Sequence, residues 1–206
     1  MRSNFWSAVY MTFAALPHLQ RRRGSRIVNI SSIGGRVAVP HLLGYSASKF
    51  ALQGFSEGLF AELRASGVRV VTVLPGTMRT GSFYNAEFLG KAREEFAWFS
   101  LGAALPVISI NARRAARRIL GATEDGDVEV HLGLASYALS FLHGVAPRLT
   151  QRLMALTARL LPRPGGALGE VWRGREIGSP LVRSILLRLG NLAAARNNEA
   201  PPEEIR

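Results

Sequence analysis

The sequence predicts an α/β layer fold on a parallel sheet, and two observations carry that prediction. Helix-period and strand-like segments alternate three times between Asn4 and Leu132, the pattern of helices packed on a sheet. Within that alternation Val68 to Leu74 (VRVVTVL) is almost continuously apolar, as a strand is when both faces of its sheet are covered.

Each element follows from its residues. From Asn4 to His18 the apolar positions Phe5, Val9, Phe13 and Leu16 recur at helical spacing, and Arg21-Arg22-Arg23-Gly24 is basic chemistry suited to a helix C-terminus. Arg26 to Ile30 (RIVNI) reads as a buried strand, and Ser31 to Gly44, with its glycines and Pro40, as its exit loop. Tyr45 to Ala65 places Leu52, Phe55, Leu59 and Leu63 on one helix face, with Gly67 positioned to end it. The strand VRVVTVL follows and closes at Pro75-Gly76. Asn111 to Leu120 gives a third helix, Asp125-Gly126-Asp127 a turn and Val128 to Leu132 a third strand. Beyond it, Leu134 to Leu161 is two amphipathic helices broken near Gly144-Val145-Ala146-Pro147. The expected division is an α/β layer part over 1–132, a helical appendage over 133–163, and a linker with a largely disordered tail over 164–206, polar from Asn197 to Arg206.

Composition narrows the chemistry. The 206 residues are 48% apolar, enough for a globular core. With no cysteine there is no disulfide, thiolate metal site or Cys nucleophile, and His18, His41, His131 and His143 show no metal-ligand spacing, so no metal is expected. The net charge of +12 fits nucleic acid, an anionic membrane surface or a phosphorylated ligand. Yet only Lys49 and Lys91 among the 26 basic residues are lysine, which points to a coding bias towards arginine. Arg113, Arg114, Arg117 and Arg118 line one helix side, but no recognition motif accompanies them, and nucleic acid is not an expected partner. Met1 to Gln20 is too interrupted by polar residues for a signal-peptide core, and no apolar run is long enough to span a bilayer. A cytoplasmic protein is expected, with peripheral membrane contact through Leu134 to Leu161 as a further option.

The chemistry-bearing residues cluster at the first strand's exit. Tyr45 and Lys49 sit four apart at the start of a helix, so both side chains rise from one face. A tyrosine phenol is a poor base at neutral pH, and a neighbouring ammonium favours its phenolate. Ser32, thirteen residues earlier, lies at the end of the run RIVNISS and so at the carboxyl edge of the sheet, where open α/β sheets place ligands. The triple spacing arises by chance with a probability of roughly 0.003.

Ser31-Ser32-Ile33-Gly34-Gly35 through Tyr45-Ser46-Ala47-Ser48-Lys49 resembles the short-chain dehydrogenase/reductase family, whose signature is a Ser, a Tyr-x-x-x-Lys and an Asn on the preceding helix. Asn4 and the run Pro75-Gly76-Thr77-Met78-Arg79-Thr80 complete the match in order. The resemblance implies a partial Rossmann-type doubly wound sheet, later strands only, and an NAD- or NADP-dependent oxidoreductase. Tyr45 would be its general acid/base, and Lys49 would aid Tyr45 and bind the nicotinamide ribose. Ser32 would hold the substrate oxygen, and Asn4 would anchor a relay water. Pro75, Gly76 and Thr80 would contact the nicotinamide end of the cofactor. Six aromatics between Ser82 and Leu101, in the segment the family uses as a lid, suggest an apolar small-molecule substrate, or equally a satellite core. A homo-oligomer is expected.

The family's glycine-rich phosphate turn has no counterpart in a fitting context here, since Gly165-Gly166-Ala167-Leu168-Gly169 follows Pro-Arg-Pro and reads as a linker. The expectation is that Met1 is an internal methionine of a longer protein. The competing expectation is a truncated, non-catalytic chain that partners another subunit through a free strand edge or the Asn4 helix, or sits on a membrane.

Overall fold

A computed structural model describes residues 1–106, 108–163, 165, 170–177, 179, 182 and 184–200. They form two compact units: Met1–Gly76 with Ala115–Ala155, and Thr77–Arg114 with Leu156–Arg206.

The first unit holds the predicted α/β layers. A single π-helical turn, Arg2–Trp6, leads into helix α1, Ser7–Gln20. Strand β1 (Arg26–Ile30) is followed by a 3-10 turn at Ile33–Gly35 and by helix α2 (Leu43–Leu63). A second 3-10 turn ends at Gly67, whose φ of 74° is the left-handed conformation that glycine adopts without cost. Strand β2 (Arg69–Pro75) comes next. Between β2 and strand β6 (Glu129–Leu132) the chain makes strands β3 (Thr77–Arg79), β4 (Glu87–Leu89) and β5 (Ser109–Asn111) and helices α3 (Ala92–Ala104) and α4 (Ala112–Asp125). Helices α5 (Leu134–Val145) and α6 (Pro147–Leu160) follow β6 and break where the sequence predicts.

β1, β2 and β6 make a parallel sheet in that order, with Ile27 opposite Val70 and Val73 opposite Val130. β2 is central and buried from Val70 to Pro75, which is why its sequence lacks alternation. Ile27, Leu59, Leu63, Val68 and Val70 form a core capped by Leu16, Leu19, Phe55 and Phe60 of α1 and α2. A buried polar chain also ties α2 to the sheet. Asn29 Nδ2 donates to Ser56 Oγ at 2.9 Å, and Ser56 Oγ lies 2.6 Å from Thr72 Oγ1, so buried hydroxyls and amide satisfy one another.

The second unit has boundaries of its own. Residues 77–114 group with residues from the C-terminal part of the chain. β3 and β5 pair in parallel, and β4 pairs antiparallel with strand β7, Val171–Arg173. Helix α7, Arg188–Arg196, follows. The described part of 164–206 therefore carries a strand and a helix where a linker and tail were expected, while 166–169 and 201–206 lie outside the described residues. The physical reason is the aromatic segment. Phe83, Tyr84, Phe88 and Phe96 are buried with Ile177, Ala194 and Ala200, and Tyr84 Oη donates to Asn191 Oδ1 at 3.0 Å. Phe96 sits edge-on to both Phe83 and Phe88, an arrangement that aromatic quadrupoles favour. Of the two readings of these aromatics, the satellite core describes Phe83, Tyr84, Phe88 and Phe96, while Trp98 and Phe99 remain exposed.

Candidate active site

The site is assembled at the carboxyl ends of β1 and β2. Parallel pairing brings both ends to one edge, where the Ser31 N–H donates to the Val73 carbonyl at 2.8 Å. Pro75 lies opposite Leu132 of β6, and the Gly76 N–H donates to the Leu132 carbonyl at 3.0 Å. The Ser136 hydroxyl donates to the Leu74 carbonyl at 2.7 Å, which pins α5 to the same edge.

Ser32 is buried and extended, and its Oγ accepts the Gly34 N–H at 3.0 Å, so the hydroxyl's position is fixed by the turn it caps. Gly34 explains how this hydroxyl meets Tyr45. A Cβ built on Gly34 would stand 3.2 Å from Tyr45 Cε1 and 3.4 Å from Ser32 Oγ, so the two side chains converge on the space that glycine leaves open. Gly35 is held more tightly still, against the Lys49 carbonyl and the Ser31 hydroxyl, which donates to that carbonyl at 3.1 Å.

Tyr45 lies in the first turn of α2 and is 38% exposed, leaving its ring accessible from solvent. One helical turn on, Lys49 Nζ is 5.8 Å from the Tyr45 ring centroid and donates to the Ile30 carbonyl at 2.9 Å. That bond holds the ammonium at the end of β1. Partial burial keeps the Lys49 amine below its ordinary value of 10.5.

The sign of the resulting pH dependence follows by linkage. Between the lowered folded value and the ordinary one the unfolded chain binds the extra proton, so this group's contribution to stability rises as pH climbs through that window. The melting temperature of the protein, minus that of a Lys49→Met variant, is therefore expected to increase towards alkaline pH. A pH-independent difference would overturn the assignment.

Asn4 reaches the same turn of α2. Its Nδ2 donates to Ser48 Oγ at 3.1 Å, and Ser48 in turn donates to the Tyr45 carbonyl at 2.6 Å. Asn4, Ser32, Tyr45, Lys49, Pro75 and Gly76 all belong to the first unit. Thr80 belongs to the second, where its Oγ1 accepts the Ser82 N–H at 3.1 Å and its carbonyl accepts from Asn197 Nδ2 at 3.1 Å.

Sequence reasoning missed Ser48, Ser46 and the individual roles of Gly34 and Gly35. Ser46 Oγ accepts the Val39 N–H at 3.1 Å and anchors the preceding loop to α2. One signal was present: Ser46 and Ser48 are hydroxyls inside the Tyr-x-x-x-Lys turn, where side chain to backbone bonds are local. A further network stands nearby. Glu129 takes Arg36 Nη2 and Gln53 Nε2, the latter at 3.2 Å, and faces His131 Nε2 at 2.9 Å.

Comparison with known proteins gives these residues a setting. A family model described as short chain dehydrogenase matches residues 1–87. The chain is 44% identical over 81 residues to a 3-ketodihydrosphingosine reductase of Bacteroides thetaiotaomicron, covering 39% of this chain and 30% of that protein. It is 35% identical over 156 residues to a protein of Mycobacterium tuberculosis named as an oxidoreductase, SadH, covering 74% and 55% of the two chains. The crystal structure of a short chain dehydrogenase from Burkholderia cenocepacia in complex with NADP superposes with a TM-score of 0.56 at 30% identity, over 78% of this chain and 56% of that one. A short-chain dehydrogenase from Streptomyces avermitilis gives 0.57 at 28% identity, over 76% and 60%. The chain thus spans 30% and 55% of the length of the two curated relatives named.

Proposed function

The chain belongs to the short-chain dehydrogenase/reductase family, and from that premise we propose that it forms the catalytic part of an NAD(P)-dependent oxidoreductase interconverting an alcohol and a carbonyl. The observation that carries this reading is the convergence of the Ser32 hydroxyl and the Tyr45 ring on Gly34, with Lys49 Nζ held 5.8 Å from that ring.

The residues present suit the nicotinamide end of such a cofactor. Lys49 is anchored at the end of β1, Pro75 ends the neighbouring β2 with Gly76 just after it, and Gly34 leaves open the space a Cβ would fill. The cofactor, when bound, supplies or takes up the hydride. Lys49 would hold the ribose hydroxyls as a compact three-donor cation, which guanidinium does not imitate.

The protons move on the protein's own groups. In the oxidative direction Tyr45, as phenolate, takes the substrate's hydroxyl proton, and the Lys49 ammonium stabilises the anionic form of the ring. In the reductive direction the phenol returns it. Ser32 Oγ already accepts the Gly34 N–H, so its own proton serves to hold the substrate oxygen. Asn4, whose Nδ2 is tied to Ser48, would anchor a relay water. The name of the Bacteroides relative, a 3-ketodihydrosphingosine reductase, supports an apolar ketone as the substrate class.

A second reading, a non-catalytic chain that pairs with another subunit, is favoured by one feature. Trp6, Tyr10, Met11 and Phe13 stand exposed on the α1 side of the first unit, and β1 is an outer strand of its sheet. The same face serves a homo-oligomer of the enzyme. Titration with NADH and NADPH, followed by turnover on a series of apolar ketones, separates the readings. Saturable binding of one cofactor with its consumption is expected; a protein that binds neither yet forms a stable complex belongs to the second reading.

A further inference from the structure

Helix α5 is apolar on its outward side, the side that a helix of a water-soluble layer keeps polar. Its inward side carries Ser136, fully buried, and the half-buried Leu139 and Leu142, together with Ser140 Oγ and His143 Nδ1, which are buried and make no hydrogen bond among the described residues. Its outward side carries Leu134, Tyr137, Phe141 and Val145, between 59% and 79% exposed. These fall at helical spacing on one stripe. The first part of α6 repeats the pattern, with Thr150 fully buried and Leu149 half exposed.

From this apolar outward face we infer that α5 and the start of α6 dock on an anionic lipid bilayer, lying in its surface with the aromatic and aliphatic stripe in the headgroup boundary. Two observations select this occupant. First, positions 130–169 contain no Asp or Glu but include Arg148, Arg152, Arg159 and Arg163, and Arg148 and Arg152 are exposed one turn apart beside Leu149. An apolar stripe bordered only by cations is the composition of an interfacial helix attracted to anionic headgroups. A second copy of the chain seated here would instead bring two arginine rows together with no acid in this segment to meet them. Second, the exposed stripe of α5 carries two aromatic rings, Tyr137 and Phe141, and aromatic side chains with one polar edge sit at the headgroup level of a bilayer. The inference does not depend on the redox reading; if both hold, the protein meets apolar substrate where such molecules partition.

Co-sedimentation of the full chain with vesicles tests it. Binding is expected to vesicles of mixed phosphatidylcholine and phosphatidylglycerol, to weaken with added salt, and to be much weaker with phosphatidylcholine alone. The pair R148Q/R152Q should weaken binding about 30-fold, roughly 5-fold for each arginine. The pair R117Q/R118Q removes equal charge from the exposed side of α4 and should change binding less than 2-fold if the site is local. F141D should abolish binding while its circular dichroism spectrum stays that of the unsubstituted protein. Equal loss in both arginine pairs would reduce the effect to net charge and overturn the proposal. So would vesicle binding indifferent to F141D, or a self-associated chain that F141D turns monomeric without any vesicle binding.

Discussion

A Tyr45→Phe variant is expected to lower turnover by about a hundred- to ten-thousand-fold while leaving cofactor affinity unchanged, the range that loss of a positioned general acid/base produces. The ring itself stays, so its packing beside Gly34 and the distance to Lys49 Nζ are kept, and only the ionisable oxygen is lost. That makes the substitution a clean separation of chemistry from binding. Measured kcat with a saturating apolar ketone and cofactor Kd by calorimetry give the two readouts. Retained turnover would remove Tyr45 from the acid/base role; loss of both turnover and cofactor affinity would assign it to binding.

The placement of Tyr45, Lys49 and Ser32 was legible because it rests on local regularities: two residues one helical turn apart, and a hydroxyl just beyond an apolar strand. The layer order was legible for the same reason, since β2 declares burial on both faces by its composition. What the sequence hid is long-range. The reason Phe83, Tyr84 and Phe96 belong to a core lies about a hundred residues on, at Ile177, Asn191 and Ala194, in a segment whose prolines, glycines and arginines read locally as a tail. Gly174 shows the constraint most directly, because a Cβ there would stand 1.9 Å from the Phe83 carbonyl oxygen. The Asn29–Ser56–Thr72 chain was hidden differently. Each residue is ordinary in its own segment, and only the packing of α2 on β1 and β2 turns three polar side chains into one satisfied network.

The largest loss of stability at the site is expected from Gly35→Ala. The new Cβ would stand 2.6 Å from the Lys49 carbonyl oxygen and 2.6 Å from Ser31 Oγ. The serine hydroxyl can rotate away, but the Lys49 carbonyl belongs to the backbone of α2 and cannot. The turn at Ile33–Gly35 must therefore retreat, at a cost of about 3 kcal/mol, the upper part of the usual overpacking range, or about 6 to 12 °C in melting temperature. Retreat carries Gly34 and the Ser32 hydroxyl away from the Tyr45 ring, so turnover falls with stability. Gly58→Ala provides the internal comparison. It adds the same methyl group to α2 where nothing lies within 4 Å, and it should raise stability by up to about 1 kcal/mol through helix propensity alone. Thermal melts of the two variants decide the matter. If Gly35→Ala behaves like Gly58→Ala, the contact between the 3-10 turn and the Lys49 carbonyl does not hold Ser32 in place, and the hydroxyl must be positioned by β1 alone.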